Sequence, residues 1–372
     1  LYSALLTNMP YDRFVAELVN PSAESEGFTR GIVWRGVVNA SQSPPMQAAQ
    51  NIAQVFMGVN LKCASCHDSF INDWRLSDAY GLASVYSDGP LEMFHCDKPT
   101  GRMSEPRFIY PELGPVDAKA AKADRLKQLA DLITGPKDGR LPRTIVNRLW
   151  ARFLGIGLVE PVDDMEQAPW SREMLDMLAA DFASNRYDLK RAIEDILTSR
   201  AYQLPSVDVG GVSSKGYIFR GPAIRRMSAE QFRDAVGQLT GVWYGKSELA
   251  LAKGPNRSAL VAADALVTAL GRPNREQVAT TRSTVATTLQ ALELTNGQTL
   301  AAVLDAGAEK LLERYPEPRL LAQDVYRLAL NRSPTALETE ACLELLGGPV
   351  QKHGVADLLW VITMLPEFQL IY

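Results

Sequence analysis

The sequence predicts a mainly α protein in two parts, a smaller helical region at the N-terminus followed by a larger, irregular helical domain. Three observations carry that prediction. Apolar residues recur at three- and four-residue spacing in segment after segment, strand-like alternation is scarce, and Pro, Gly and capping residues fall at helix-length intervals. A first helix is expected over 12–18, after Pro10, and a second over 45–59, with Ala49, Ile52, Ala53 and Phe56 on one stripe and Gly58 loosening its end. A short helix over 77–86 would take Ser77 as its cap. Residues 87–117, with Pro90, Pro99, Pro106, Pro111 and Pro115, read as an irregular linker.

Helices resume over 118–134, 143–154, 171–183 and 189–197, the second with Ile145, Val146, Leu149, Trp150 and Phe153 on one face. Pro205, Gly210, Gly211, Ser213 and Ser214 mark a loop, and Ser228-Ala229-Glu230-Gln231 is a capping box that opens the next helix. Residues 254–282, with Arg257, Arg272, Arg275 and Arg282, read as a surface excursion. Helices near 287–295, 299–314, 320–330, 335–346 and 355–364 close the chain, the fourth with a capping box at Thr335 and Glu338. The expected division is 1–116 and 117–372, and no internal repeat of fixed period is evident.

The chain has 372 residues, 46% hydrophobic and 22% charged, which is ordinary globular composition and excludes a disordered chain or a rod. A formal net charge of −4 supplies no basic field for a nucleic acid or an anionic membrane. No run reaches the roughly 18 consecutive apolar residues that a membrane span requires. The chain opens Leu1-Tyr2-Ser3-Ala4, without an initiator Met or a basic and apolar leader, so a processed or partial chain is expected.

Cysteine and histidine are scarce, which makes their arrangement informative: Cys63, Cys66, Cys96 and Cys342, with His67, His95 and His353. Cys63-Ala64-Ser65-Cys66-His67 is a C-x-x-C-H pentapeptide, the pattern by which c-type haem is attached. Two thiols three positions apart on one turn each reach a haem vinyl group, and the adjacent imidazole reaches the iron as proximal ligand. One covalent haem c on Cys63 and Cys66, ligated by His67, is the expected cofactor. A zinc site drawing on Cys63, Cys66, His67 or His95, and Cys96 is an alternative, as is a disulfide or a pair of bare thiols. Haem attachment takes place outside the cytoplasm, where Cys96 and Cys342 are able to pair; two unrelated buried thiols are the competing reading.

For the distal ligand, Met93 is the first candidate and His95 the alternative. Both lie in 91–96, a segment short enough to fold over the haem. Met103 is a third candidate, with Met57 and Met46 on the preceding helix behind it and His353 more remote. Met ligation raises the reduction potential and suits electron transfer. Phe70, Trp74, Tyr80 and Tyr86 are candidates to wall the porphyrin, each equally a candidate for the core. Glu160, Asp163, Asp164 and Glu166 lack the liganding spacing of an EF-hand and read as a solvated acidic turn. Arg143, Arg148, Arg225 and Arg226 are explained by surface ion pairs more simply than by haem propionates.

Residues 58–68, with Trp74, Asp78 and Tyr80 downstream and Pro10-Tyr11-Asp12-Arg13-Phe14 upstream, resemble the cytochrome-like domain of large planctomycete and verrucomicrobial proteins. The second part resembles the planctomycete-specific domain of unknown function that follows it. Residues 143–150, Gly157-Leu158-Val159-Glu160-Pro161, Leu175-Asp176, Thr198-Ser199-Arg200-Ala201-Tyr202, 288–292 and Leu365-Pro366-Glu367-Phe368 carry that likeness. Two departures stand out: members often carry a second His two residues after the haem His, where this chain has Ser69, and the cytochrome-like region is entered partway at Leu1. The resemblance implies export and redox use.

The expected function is therefore an exported monohaem c-type cytochrome in the periplasm or at the cell surface, an electron carrier rather than a catalyst. Its partners would be redox proteins within a larger complex or cell-surface assembly. Two other classes compete. One is a structural, partner-binding or glycan-binding module in which haem is auxiliary or absent, favoured by some 250 residues beyond what a single haem needs. The other is a haem enzyme with an open iron site, for which an Asp, Glu or Arg would have to serve as distal acid or base.

Overall fold

The computed structural model describes residues 1–26, 43–210, 216–247, 254–274, 279–282 and 285–372. Helices dominate these residues, and none is long and apolar enough to cross a membrane. Gly211, Ser213, Ser214 and Arg275 lie outside them. The chain divides into two compact units, residues 1–223 with 275–281, and residues 224–274 with 282–372.

In the first unit, α1 (Tyr2–Leu6) and α2 (Tyr11–Val19) precede α3 (Pro44–Met57), whose first turn holds two prolines where no intrahelical donor is needed. The α3 stripe of Ala49, Ile52, Ala53 and Phe56 packs on α4 (Leu76–Tyr86), which is buried from Ala79 to its end. Ser77 is not the cap of α4. Asp68 Oδ1 accepts the Leu76 N–H and Asp78 Oδ2 accepts the Arg75 N–H, so two carboxylates satisfy the first donors of the helix and leave a hydroxyl at the second helical position nothing to cap. The expected linker contains a two-stranded antiparallel hairpin, β1 (Leu91–His95) and β2 (Lys98–Ser104), laid against α4 through Met93.

Four helices follow: α5 (Lys122–Thr134), α6 (Arg140–Leu154), α7 (Arg172–Ser184) and α8 (Leu189–Thr198). Ser171 Oγ accepts the Met174 N–H and Asp188 Oδ1 the Arg191 N–H, fixing where α7 and α8 begin. The α5 helix packs on α2 and α4, and α6 packs on α3, α7 and α8. One hydrophobic core therefore runs from Val15 through Phe56, Leu82, Leu129 and Val146 to Phe182. The 116/117 position falls inside this unit.

The second unit contains β3 (Arg225–Arg226), α9 (Ala229–Thr240), α10 (Ala265–Ala269), α11 (Thr288–Asn296), α12 (Gln298–Arg314), α13 (Pro318–Leu330), α14 (Ala336–Leu346), α15 (Lys352–Met364), α16 (Pro366–Gln369) and β4 (Leu370–Ile371). Capping boxes at Ser228/Gln231, Thr287/Gln290 and Thr335/Glu338 open α9, α11 and α14. The α12 helix packs against α9 and α15, and β3 pairs antiparallel with β4, tying the end of the chain to the start of the unit. The expected surface excursion is only partly superficial: Leu266 and Val267 of α10 are fully buried. Cys342 sits in this core, and its thiol is pushed above its ordinary pKa by burial.

Candidate functional site

The C-x-x-C-H pentapeptide follows directly from the end of α3. Gly58 ends that helix at φ +59°, a backbone conformation that glycine adopts without a Cβ penalty, and a Cβ here would collide with the Met165 side chain. Its carbonyl accepts the Met165 N–H at 2.9 Å, which pins the turn from outside. The chain then makes one helical turn over 61–67. Ser65 N–H donates to Leu61 O at 3.0 Å, and Cys66 and His67 N–H both donate to Cys63 O, at 3.0 and 3.1 Å.

Side chains on this turn divide cleanly. Leu61, Ala64 and Ser65 are buried and anchor it, while Cys63, Cys66 and His67 are only partly covered. Two thiols three positions apart on a helical turn share a face, the geometric condition for two neighbouring thioether bonds. Both thiols are free.

His67 is held by its own backbone neighbour. Nδ1 lies 2.7 Å from the Asp68 carbonyl oxygen. A carbonyl only accepts, so Nδ1 carries a proton; in the neutral ring this leaves the lone pair on Nε2, the tautomer of a metal-ligating imidazole. Phe70 stacks near the ring, with centroids 4.5 Å apart, yet is 87% exposed, and Ile71 beside it is 69% exposed. Trp74 is half-buried, and its indole Nε1 donates to Glu166 Oε2 at 2.9 Å. Tyr80 and Tyr86 belong to the core instead.

The β1–β2 hairpin brings its tip to the same place. Cys96 N–H donates to Cys66 O at 2.8 Å, and the His95 ring centroid is 6.4 Å from that of His67, with the planes at 45°. Cys96 is the first of the two residues connecting the strands and has φ +55°, a position where glycine is usual. His95 and Cys96 are exposed at the tip. Met93, two residues back on β1, is 5% exposed and packs in the core, and Thr100 Oγ1 donates to its carbonyl at 2.7 Å. Met103, on β2, is exposed.

The carboxylates of the acidic turn have protein partners. Asp163 pairs with Arg148 at 2.9 Å, Asp164 accepts from Gln167, Glu160 accepts the Gly157 N–H and Glu166 accepts from Trp74. Among the described residues, no three or more His, Cys, Asp or Glu side chains gather in a way that holds a bare metal ion. Arg143 and Arg148 are likewise committed, to Asp176 and to Asp163. Sequence reasoning named the thiols and His67. It missed the Asp68 backbone carbonyl as the partner of Nδ1; every residue carries such a carbonyl, so nothing in the sequence marks it.

The fold and this site define a mainly helical protein with a C-x-x-C-H turn packed into the core of its first unit. The chain belongs to the PSD1 family, described as a protein of unknown function (DUF1553), whose model matches residues 125–250 and 256–346, more than half of the chain. A second family model, PSCyt2, a protein of unknown function (DUF1549), matches residues 1–89. These are the planctomycete cytochrome-like domain and the domain that follows it. No curated protein and no solved structure matches the chain.

Proposed function

We propose that the protein is an exported monohaem c-type cytochrome that transfers electrons within a larger redox assembly, with His67 as proximal and His95 as distal ligand. The observation that carries this reading is the 6.4 Å between the two imidazole centroids. Two imidazoles that ligate one metal from opposite sides place their ring centres about 6 Å apart, because each metal–nitrogen bond is about 2 Å.

The donor set fits the group. Haem brings four ring nitrogens of its own and asks the protein for one or two more, whereas a structural zinc ion asks for four. Cys63 and Cys66 would carry the thioethers, and the Asp68 carbonyl would hold His67 in its ligating tautomer. Phe70 and Ile71 offer apolar cover beside the imidazole. His95 replaces Met93 as the preferred distal ligand, since Met93 is engaged in the core and His95 stands free beside His67. When bound, the iron would supply one-electron chemistry at a potential that bis-His ligation sets lower than Met ligation.

A pyridine haemochrome spectrum of the full chain, produced in a periplasm with haem-maturation machinery, tests this reading. A c-type α band that persists through denaturation and disappears in Cys63→Ser/Cys66→Ser supports it. A chain that matures without covalent haem sinks it.

A further inference from the structure

We propose that Cys66 and Cys96 form a disulfide in the exported chain before haem is attached, and that this bond withholds Cys66 from the haem vinyl group until a dithiol opens it. The gating step rests on the haem reading above; the disulfide does not.

The backbone brings the two residues together. The Cys96 N–H donates to Cys66 O at 2.8 Å. Residues joined by such a bond have their Cα atoms about 5–6 Å apart, inside the span of about 4.4–6.8 Å that a disulfide bridges. Their neighbours His67 and His95 meet across the same two segments. Both thiols are free, with Cys96 exposed and Cys66 only partly covered, so an oxidant is able to reach the pair.

The hairpin tip suits the bond. Cys96 holds φ +55° in a two-residue connection where glycine carries no Cβ penalty, and backbone strain of this kind gathers where a side chain has a task. Residues 95–98 are all exposed, so the thiol adjusts to its partner without disturbing a core.

Two other bonds compete, and both are less favourable. On a helical turn, residues three apart set their Cβ atoms about 5–6 Å from one another, beyond the roughly 3.5–4.5 Å of a disulfide. Closing Cys63 on Cys66 would therefore distort a turn that is anchored by buried Leu61, Ala64 and Ser65 and in which the Cys63 carbonyl accepts both the Cys66 and His67 N–H. Cys342 is 4% exposed in the core of the second unit, where a thiol is inert.

The oxidant is the reactive disulfide of an exported thiol oxidase. The Cys96 thiolate attacks it and expels one oxidase thiol; the Cys66 thiolate then attacks the mixed disulfide at Cys96 and expels the other. The Cys66–Cys96 bond replaces the oxidase's own, and two electrons and two protons leave with the oxidase as its dithiol. A reducing dithiol runs the exchange backwards, after which Cys66 is free to form its thioether.

Peptide mapping of the full chain tests the disulfide, after export by a host without haem-attachment machinery, alkylation with N-ethylmaleimide and tryptic digestion without reductant. A cross-linked pair joining residues 63–75 to residues 76–102 is expected, kept in Cys63→Ser and lost in Cys66→Ser. Alkylation of Cys63, Cys66 and Cys96 together, a bond confined to Cys63 and Cys66, a bond from Cys96 to Cys342, or a cross-link that survives Cys66→Ser would overturn it. In a host that attaches haem, Cys96→Ser should carry at least about twofold more covalent haem per chain than the parent. Equal loading would overturn the gate. Haem on neither chain would overturn the haem reading and the gate with it, while the peptide map would still decide the disulfide.

Discussion

Trp74 and Glu166, 92 residues apart in the chain, are joined by a 2.9 Å hydrogen bond from the indole Nε1 to Oε2. Trp74 sits in the segment that returns from the C-x-x-C-H turn, where its carbonyl accepts the Ser69 N–H, and Glu166 lines a polar cavity at the start of α6. Burial raises the Glu166 carboxyl above the usual carboxylate range, opposed by Arg140 and by this hydrogen bond, so the indole helps to keep it ionised.

His95 is the residue that separates bis-His ligation from its alternatives. In haem-loaded protein, His95→Ala should convert a low-spin iron to a high-spin one, read in the absorption and electron paramagnetic resonance spectra. His95→Met should raise the midpoint potential. An unaltered spectrum in His95→Ala would assign the distal position to another residue.

Arg148 is central to the stability of the first unit. Its guanidinium donates to the carbonyl oxygens of Gln54, at 2.6 Å, and Val55 near the end of α3, and pairs with Asp163 at 2.9 Å with both side chains mostly buried. Arg148→Ala takes this donor from the two carbonyls and leaves Asp163 with only Gln54 and Thr280 as partners among the described residues, and should cost about 2–3 kcal/mol. Chemical denaturation should show a lower midpoint, with a loss at least as large as that of any single surface ion pair.

Asp138 gives stability a pH dependence of definite sign. Burial raises its carboxyl from 3.8 to about 6 on folding, so the folded chain holds the proton more tightly than the unfolded one. Its contribution is most favourable below about pH 4 and is lost as pH climbs through about 6, by up to about 3 kcal/mol. Asp138→Asn, which keeps an acceptor for the Arg140 N–H, should be more stable than the parent at pH 7 and equal to it near pH 4. Unfolding midpoints measured across that interval check this, and parallel profiles would contradict it.

Gly307 in α12 is a position where adding a methyl group should harm a helix. A Cβ there would stand 2.5 Å from Thr240 Cβ on α9. Overpacking of this kind costs about 1–3 kcal/mol and outweighs the gain in helix propensity of about 1 kcal/mol. Gly307→Ala should therefore lower the melting temperature of the second unit.

Most helices were legible because their signals are local: the stripe from Ala49 to Phe56, and the capping boxes at Ser228 and Thr335, need only neighbouring residues. The C-x-x-C-H turn was legible for the same reason. The hairpin was not. A register irregularity between Glu92 and Phe94 breaks its alternation, and β2 is exposed along almost its whole length, so no period of two survives. Ser77 lost its expected role to Asp68, eight residues before Leu76. The cavity was invisible because Tyr110, Asp138 and Glu166 meet only in three dimensions, and nothing in the spacing of such common residues marks them.

The continuous core of the first unit has a consequence for how this chain is inherited and cut. The PSCyt2 match ends at residue 89 and the PSD1 match begins at 125, yet α2 lies against α5 and α3 against α6 across that seam. The seam between the two families is therefore no seam in folding: a fragment ending near residue 89 would lose Leu129, Ile133 and Val146 from the core it shares with them and should show no cooperative melting transition of its own. In this chain the segment before residue 89 completes its core with α5 and α6, so replacing those helices would unsettle the C-x-x-C-H turn as well.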